Sequence, residues 1–273
     1  MVGGEYKADG CSTQNEYIEK AGKGVLGKNC ERFENFPILI KLIDAKDNLS
    51  VQVHPDNDYA MRVEGEYGKT EMWYVVDCDE GATLLYGFKH EITKEEFARR
   101  IADNTLLEVT NAVPVKKGDV FFIKSGTLHA IGKGILIAEI QQNSNTTYRI
   151  YDYGRVGKDG KPRELHVDKA LDVTKLAPAE QYPETPVEKK DGYDIKLLSK
   201  CEYFTTYRVN VETKAELDAD ENSFNSILVL EGEPVISGGE TVSAKKGESV
   251  FISAGTGKYT VEGKCTFVLT KID

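Results

Sequence analysis

One β-strand pattern occurs twice in this chain, and the repetition restricts the possible fold more than any other feature. The stretch GDVFFIKSGTLHAI, residues 118–131, has a near-copy in GESVFISAGTGKYT, residues 247–260, and each copy follows a Lys-Lys pair. Ahead of each copy the sequence predicts a strand, an acidic turn with glycine and a second strand, in WYVVDCDEGATLL and in ILVLEGEPVIS. The chain is therefore expected to contain two copies of one β unit.

Most of the remaining chain consists of short β-branched and aromatic runs between glycine or acidic turns, which predicts a mainly all-β protein. The order of strands and turns resembles the cupin, or jelly-roll, barrel, so the predicted fold is a pair of tandem cupin barrels. A small helical insertion is expected near residues 93–105, because Thr93 and Glu96 form a capping box ahead of an apolar helix face.

The length of 273 residues exceeds the usual size of one domain. The best linker candidate is the segment 177–191, which carries three prolines among charged residues. We therefore predict an N-terminal half over residues 1–176, a linker over 177–191 and a C-terminal half over 192–273.

The net charge of −10 argues against binding to nucleic acid or to an anionic membrane surface, because the long-range field repels polyphosphate. The sequence contains no apolar run that approaches the roughly 20 residues needed to cross a bilayer. The five cysteines are scattered, odd in number and without a C-x-x-C pair, which is typical of reduced thiols. We expect a soluble, cytoplasmic protein, whose oligomeric state the sequence does not determine.

The stretch LSVQVHPD contains the first candidate metal ligands. Strict alternation places Ser50, Gln52 and His54 on one face of a strand, and Val51 and Val53 on the other. The polar face could be the solvated face of an edge strand. Inside a barrel the same polar groups would need partners, and a metal ion is one such partner.

Two more candidate ligands lie in predicted strands of the same half, Glu71 in KTEMWYVV and His129 in KSGTLHAI. Two imidazoles, a carboxylate and an amide oxygen suit Zn²⁺ or another first-row divalent ion, with coordination positions left for water or substrate. In the second copy of the repeat Lys258 aligns with His129, and a protonated lysine cannot bind a metal. We therefore predict one metal ion per chain.

The motifs SVQVHPD, GKTEMWYV, SGTLHA and QQNSNTTYRIYDYGR together closely resemble the type I mannose-6-phosphate isomerase family, in its short bacterial form, over nearly the whole chain. The resemblance implies a zinc enzyme that interconverts mannose 6-phosphate and fructose 6-phosphate through an enediolate. It also implies that residues 1–176 hold the metal and that residues 192–273 form a degenerate cupin without one. By position, the family's zinc ligands fall on Gln52, His54, Glu71 and His129, its catalytic arginine on Arg149, and its substrate-pocket residues on Lys41, Ser50 and Lys69.

Two further residues are candidates for the chemistry. Arg149 alternates with Thr147 and Tyr151 on one strand face, and its guanidinium could stabilise the charge of an enediolate; without the family match a surface salt bridge would explain it. Glu139 is a lone charge in the apolar run ILIAEIQQN. It is either the proton-transfer base or a member of an interior salt bridge, and a metal-bound water or another carboxylate near the ion could serve as the base instead.

A run of basic residues follows Arg149 in GRVGKDGKPREL, and the substrate phosphate requires cationic donors. Solvated surface charges are the alternative explanation for such a run. We assign Arg155 to the phosphate contact. The full set of basic residues is Arg155, Lys158, Lys161 and Arg163.

In that family the chain begins earlier, with a Trp-Gly-Gly strand and a Gly-Glu-x-Trp-Glu segment that are not found in this sequence. We therefore expect the 273-residue chain to bind zinc but to isomerise sugar phosphate poorly unless those strands are supplied.

Two other function classes stay open. A non-haem iron cupin oxygenase also uses two histidines and a carboxylate, but Gln-x-His replaces the usual His-x-His pair here. A non-catalytic cupin that binds metal and sugar phosphate is the second alternative, and an intact Arg149 argues against it.

Overall fold

The computed structural model describes residues 13–157 and 159–273, which form two compact units. One unit comprises residues 38–182, and the other comprises residues 183–273 together with the described residues up to 37. Residues 13–37, which were expected in the N-terminal half, therefore belong to the unit that holds the C-terminal half. A short strand, Val187–Lys189, lies within the segment proposed as a linker.

The described residues contain four α-helices and nineteen strands. The helices are α1 (Gln14–Ala21), α2 (Asn57–Val63), α3 (Lys94–Ala102) and α4 (Val167–Val173). The strands of the unit 38–182 are β1 (Ile38–Ala45), β2 (Val51–Val53), β3 (Glu71–Cys78), β4 (Thr83–Phe88), β5 (Thr110–Pro114), β6 (Val120–Ile123), β7 (His129–Ala130), β8 (Ile135–Gln142) and β9 (Tyr148–Tyr151). Those of the other unit are β10 (Val187–Lys189), β11 (Tyr193–Lys200), β12 (Thr205–Val211), β13 (Lys214–Ala219), β14 (Asn225–Gly232), β15 (Val235–Gly238), β16 (Glu240–Ser243), β17 (Ser249–Ile252), β18 (Gly257–Glu262) and β19 (Cys265–Lys271).

Two antiparallel sheets form the unit 38–182, in the strand orders β1-β8-β3-β6 and β5-β4-β7-β2-β9. Alternation along β2 directs Val51 and Val53 into an apolar cluster that also contains Phe88 and Phe97. Phe97 is provided by α3, which begins where expected because the Thr93 hydroxyl accepts the Glu96 backbone N–H at 3.1 Å. The other face of β2 is left for polar side chains.

The second unit repeats this arrangement with the strand orders β10-β11-β12-β19-β14-β17 and β13-β18-β15-β16. Its core contains Val209, Val229, Phe267 and other fully buried apolar side chains. The predicted mainly all-β fold with tandem cupin units is confirmed. No helix in the described part of the chain is long and apolar enough to cross a membrane.

Candidate metal centre

Three buried side chains of the unit 38–182 converge on one point. His54 follows β2, Glu71 begins β3 and His129 begins β7, so the two sheets together provide them. Each is at most 1 % exposed, and one ligand atom from each lies within 4.8 Å of the other two. His54 Nε2 is 3.6 Å from Glu71 Oε2, and His129 Nε2 is 3.4 Å from Glu71 Oε1.

Backbone carbonyls orient both imidazole rings. His54 Nδ1 lies 3.1 Å from the Thr146 carbonyl oxygen, and His129 Nδ1 lies 2.8 Å from that of Thr127. A carbonyl accepts but cannot donate, so each Nδ1 carries the proton and each Nε2 presents its lone pair toward Glu71. Among the described residues neither Nε2 atom has a hydrogen-bond partner, and Glu71 Oε1 also lacks one.

This geometry fits a divalent metal ion. Ligands about 2.1 Å from a tetrahedral zinc ion are about 3.4 Å from one another, close to the separations measured between Glu71 and the two imidazoles. Burial, with Lys69 adding to it, lowers the pKa of His54 to about 3, and burial also lowers that of His129. Both rings are therefore neutral and able to bind a cation. Burial alone would raise the pKa of Glu71, but the Lys69 ammonium and the contacts with His54 and His129 together outweigh burial and hold that pKa well below its usual value.

Strand register relates two further predicted residues, Gln52 and Arg149, to the sheet face that bears His129. Gln52 pairs with His129 across β2 and β7, and with Arg149 across β2 and β9. Directly paired residues of antiparallel strands direct their side chains to one face of the sheet. Gln52 and Arg149 therefore lie on the face that bears His129.

A layer of charges lies beside the cluster. Lys69, 5 % exposed and just ahead of β3, has its Nζ 2.9 Å from Glu71 Oε2 and 3.9 Å from Glu139 Oε1. Lys41 donates to Glu139 Oε1 at 3.0 Å. Burial and the Glu71 carboxylate raise the pKa of Glu139, against the opposing effect of the two lysines. Ser50, the remaining predicted pocket residue, is buried at the start of β2.

Two residues of this layer did not stand out in the sequence as functional. Trp73 Nε1 donates to Glu139 Oε2 at 3.1 Å, and its ring meets that of His129 edge to face with centroids 5.2 Å apart. Gln141 accepts from Lys41 and donates to the Gln142 and Ser144 carbonyls. Strand alternation could have identified both residues. Trp73 lies two residues from Glu71 along β3, and Gln141 lies two residues from Glu139 along β8, so each pair shares one strand face.

Arg149 is held through backbone contacts at the edge strand β9. Its Nη1 donates to the Glu164 carbonyl at 3.0 Å, and its strand backbone bonds to both the N–H and the Nδ1 of His166. Its Nε is buried without a partner among the described residues. Burial, and then the nearby Arg163 guanidinium, lower the pKa of Arg149.

Arg155 lies at an ion-pair cluster in the next turn. Its guanidinium and that of Arg163 both contact the Asp152 carboxylate. Lys158, also part of the basic run, lies outside the described residues, and Lys161 is exposed.

The fold and the cluster define a two-cupin protein with one buried His-Glu-His group suited to a divalent metal ion. Comparison with known protein families supports this description. Residues 9–81 match the phosphomannose isomerase type I catalytic domain, and residues 194–272 match the mannose-6-phosphate isomerase cupin domain.

Relatives match over most of their length. The chain is 40 % identical to mannose-6-phosphate isomerase ManA of Bacillus subtilis, over 88 % of this chain and 76 % of that protein. It is 41 % identical to the mannose-6-phosphate isomerase of Streptococcus mutans, over 80 % of this chain and 68 % of that protein. The crystal structure of the mannose 6-phosphate isomerase from Bacillus subtilis superimposes with a TM-score of 0.90 at 34 % identity, over 97 % of this chain and 83 % of that one. The chain belongs to the type I mannose-6-phosphate isomerase family and is an enzyme of the isomerase class, as its motifs predicted.

Proposed function

We propose that this chain interconverts mannose 6-phosphate and fructose 6-phosphate through an enediolate, with one Zn²⁺ held by Gln52, His54, Glu71 and His129. The observation that carries the proposal is the set of three buried ligand atoms without hydrogen-bond partners in the described structure, His54 Nε2, Glu71 Oε1 and His129 Nε2. Buried polar groups are costly unless they have partners, so their convergence supports a bound cation. When bound, Zn²⁺ would supply Lewis-acid stabilisation of substrate oxygens.

Arg149 is proposed to stabilise the oxyanion of the enediolate. Its guanidinium is half-buried, and its buried Nε–H is not accepted by any described residue, which supports a role beyond the contact with the Glu164 carbonyl. Its strand pairs with the one that carries Gln52, and this register supports a position for the Arg149 side chain on the face of the cluster. A fixed positive group in a water-poor pocket favours a transition state that develops negative charge.

Glu139 is proposed to move the proton between C1 and C2 of the sugar. Its pKa is raised by burial, which makes the carboxylate a stronger base at neutral pH than an ordinary glutamate. Trp73 fixes one carboxylate oxygen and Lys41 contacts the other, so the group has a defined orientation. Lys41, Ser50, Lys69 and Arg155 are proposed to line the substrate pocket.

Replacing one ligand tests the metal site. His129→Ala is expected to remove the zinc and to lower kcat/KM by more than about a hundredfold, because the three remaining ligands hold the ion poorly. Lys258→Ala is the matched control, since it alters the equivalent position of the repeat and should change neither property. Zinc is measured by elemental analysis and turnover by a coupled assay for fructose 6-phosphate. A zinc-loaded and active His129→Ala protein would contradict the site.

Arg149→Ala separates chemistry from metal binding. We expect about one zinc per chain, as in the native protein, and a fall in kcat of about a hundredfold or more, because one charge-stabilising donor is lost. A native kcat in this variant would remove Arg149 from the mechanism. No isomerisation by the native zinc-loaded chain would leave the non-catalytic sugar-phosphate-binding cupin as the better description.

A further inference from the structure

The backbone of Arg149 faces an open sheet edge. β9 is the last strand in the order β5-β4-β7-β2-β9, so within this sheet only β2 pairs with it. The N–H and the C=O of one residue in a strand point to the same side. Both groups of Arg149 bond to His166, so both point away from β2. The edge of the sheet at Arg149 is therefore closed by His166 and not by another strand.

His166 closes this edge with one backbone group and one side-chain atom. Its backbone N–H donates to the Arg149 carbonyl at 2.8 Å, and the Arg149 N–H donates to its Nδ1 at 3.1 Å. In an antiparallel ladder two carbonyls accept such a pair of bonds, and here an imidazole nitrogen replaces one of them. Nδ1 accepts a hydrogen bond only when it carries no proton, so the ring is the neutral tautomer with its proton on Nε2.

Neighbouring contacts hold the imidazole ring. His166 directly precedes α4, and its ring packs against that of Tyr148 with centroids 6.1 Å apart. The Tyr148 hydroxyl donates to Glu64 Oε1 at 2.8 Å, and Lys169 of α4 contacts the same oxygen at 2.7 Å. These contacts join β9 to α4 and to the end of α2, so the Nδ1 acceptor has a defined position.

The segment that contains His166 also holds the guanidinium of Arg149. Arg149 Nη1 donates to the carbonyl of Glu164, two residues before His166, at 3.0 Å. The segment 164–166 thus contacts Arg149 at both ends, the guanidinium through Glu164 and the backbone through His166. Loss of the second contact would release the backbone of an edge strand, and a displacement of about 1 Å at a catalytic group can lower a rate about a hundredfold.

We propose that His166 is a positioning residue for the reaction, because its Nδ1 holds the Arg149 backbone where the guanidinium reaches the substrate oxyanion. This inference rests on the proposed function, since Arg149 is the group through which His166 acts. The Oδ1 atom of asparagine is as many bonds from Cα as the Nδ1 atom of histidine, so asparagine can accept the same hydrogen bond. Leucine has nearly the shape of asparagine but no acceptor.

Comparing His166→Asn with His166→Leu in the zinc-loaded full chain isolates the acceptor atom. We expect His166→Leu to lower kcat about tenfold, with KM for mannose 6-phosphate within about twofold of native, because the lost contact acts on the transition state through Arg149. In His166→Asn kcat should stay within about threefold of native. His90→Leu, which removes an exposed histidine, is the control and should keep the native kcat. A native kcat in His166→Leu, or equal losses in both His166 variants, would overturn the inference.

Two measurements without turnover separate this inference from the proposed function. In ¹⁵N spectra of the native chain at neutral pH His166 Nδ1 should be unprotonated, and a protonated Nδ1 overturns the inference. Deuterium exchange of the Arg149 backbone N–H should be slow in the native chain and in His166→Asn, and about tenfold faster in His166→Leu. That result supports the role of His166 even if the native chain does not isomerise sugar phosphate. Equal exchange in the two variants overturns it even if the native chain does.

A second substitution covers the case in which His166→Leu does not fold. His166→Gln places its acceptor one bond further from Cα than Nδ1 is, so it keeps a polar side chain but moves the acceptor out of register with the Arg149 N–H. The same losses of kcat and of exchange protection are expected for it. Native values of both in His166→Gln would overturn the inference.

Discussion

At the scale of single residues, Glu139 illustrates what the sequence left open. A lone carboxylate in an apolar strand predicted either a base or an interior salt bridge. The structure provides partners for both explanations, since Lys41 and Lys69 lie at 3.0 and 3.9 Å and Trp73 at 3.1 Å. The salt-bridge geometry alone therefore does not decide the role, and a substitution that keeps the shape while removing the charge is required.

Glu139→Gln makes that distinction. If Glu139 transfers the proton, as we propose, kcat falls by about a hundredfold or more while the zinc content stays native. If it serves only as an ion pair, the unfolding midpoint falls and kcat stays near its native value. Glu108→Gln, which removes an exposed ion pair with Arg100, provides the control for loss of a surface carboxylate. A lower melting temperature with an unchanged kcat would contradict the proposed role.

The candidate ligand residues could be proposed from the sequence because they lie in long, distinctive motifs. The ion pair between Asp152 and Arg163 could not be predicted in this way, because it depends on the geometry of a turn that the sequence does not specify. The basic run was recognised, but sequence alone could not tell which arginine had all its nitrogens bonded.

At the scale of elements, the segment between β8 and β9 holds His54 in place. Ser144 donates its hydroxyl to the Tyr67 carbonyl at 2.7 Å and accepts the Thr146 N–H at 3.1 Å. The Thr146 carbonyl in turn accepts the proton of His54 Nδ1. This chain of contacts fixes the ring whose Nε2 faces Glu71.

Ser144→Ala is therefore expected to weaken zinc binding about tenfold, because partners of ligand residues set the orientation of the ligand. Zinc affinity is measured by competition with a chromophoric chelator, so the readout does not depend on catalysis. Ser199→Ala is the control, a buried serine of the other unit that hydrogen-bonds to Thr206. Equal zinc affinities for the native and Ser144→Ala proteins would show that this segment does not orient His54.

Strand spacing predicted the elements well where the runs are long, as for β8. It was less informative for β2 and β7, which contain three and two residues. These two strands carry or adjoin Gln52, His54 and His129, and their pairing depends on neighbouring strands more than on local propensity. A candidate site could thus be proposed from its motifs, while the register of its strands required the assembled sheets.

At the scale of the whole molecule, register explains why the described residues of the second unit contain no counterpart of the His-Glu-His cluster. Glu71 pairs with Ile123 in the first unit, and Asn225 pairs with the equivalent Ile252 in the second. Asn225 therefore stands where a carboxylate ligand would be needed. Glu139 is replaced in the same way by Leu269, so the charged layer becomes apolar.

The orientation of Lys258 and Tyr259 is a second difference between the two units. Lys258 aligns with His129 but is exposed, whereas Tyr259 is buried and accepts a hydrogen bond from Asn225 Nδ2 at 2.9 Å. The alternation of β18 therefore directs residue 258 away from the interior, and a tyrosine takes up the interior position. The charge of Lys258, noted from the sequence, is thus only part of the reason.

Restoring the ligand types in the second unit should accordingly fail to create a second site. We expect Asn225→Glu combined with Lys258→His to bind one zinc per chain, as the native protein is proposed to do, because residue 258 faces outward and Tyr259 fills the interior. Lys258→His alone, which leaves the buried Asn225 contact intact, carries the same expectation with less risk to folding. Elemental analysis after removal of loosely bound metal gives the stoichiometry, and adding His129→Ala to each variant should abolish the remaining zinc. Two zinc ions per chain in either variant would show that residue 258 can reach the barrel interior after all.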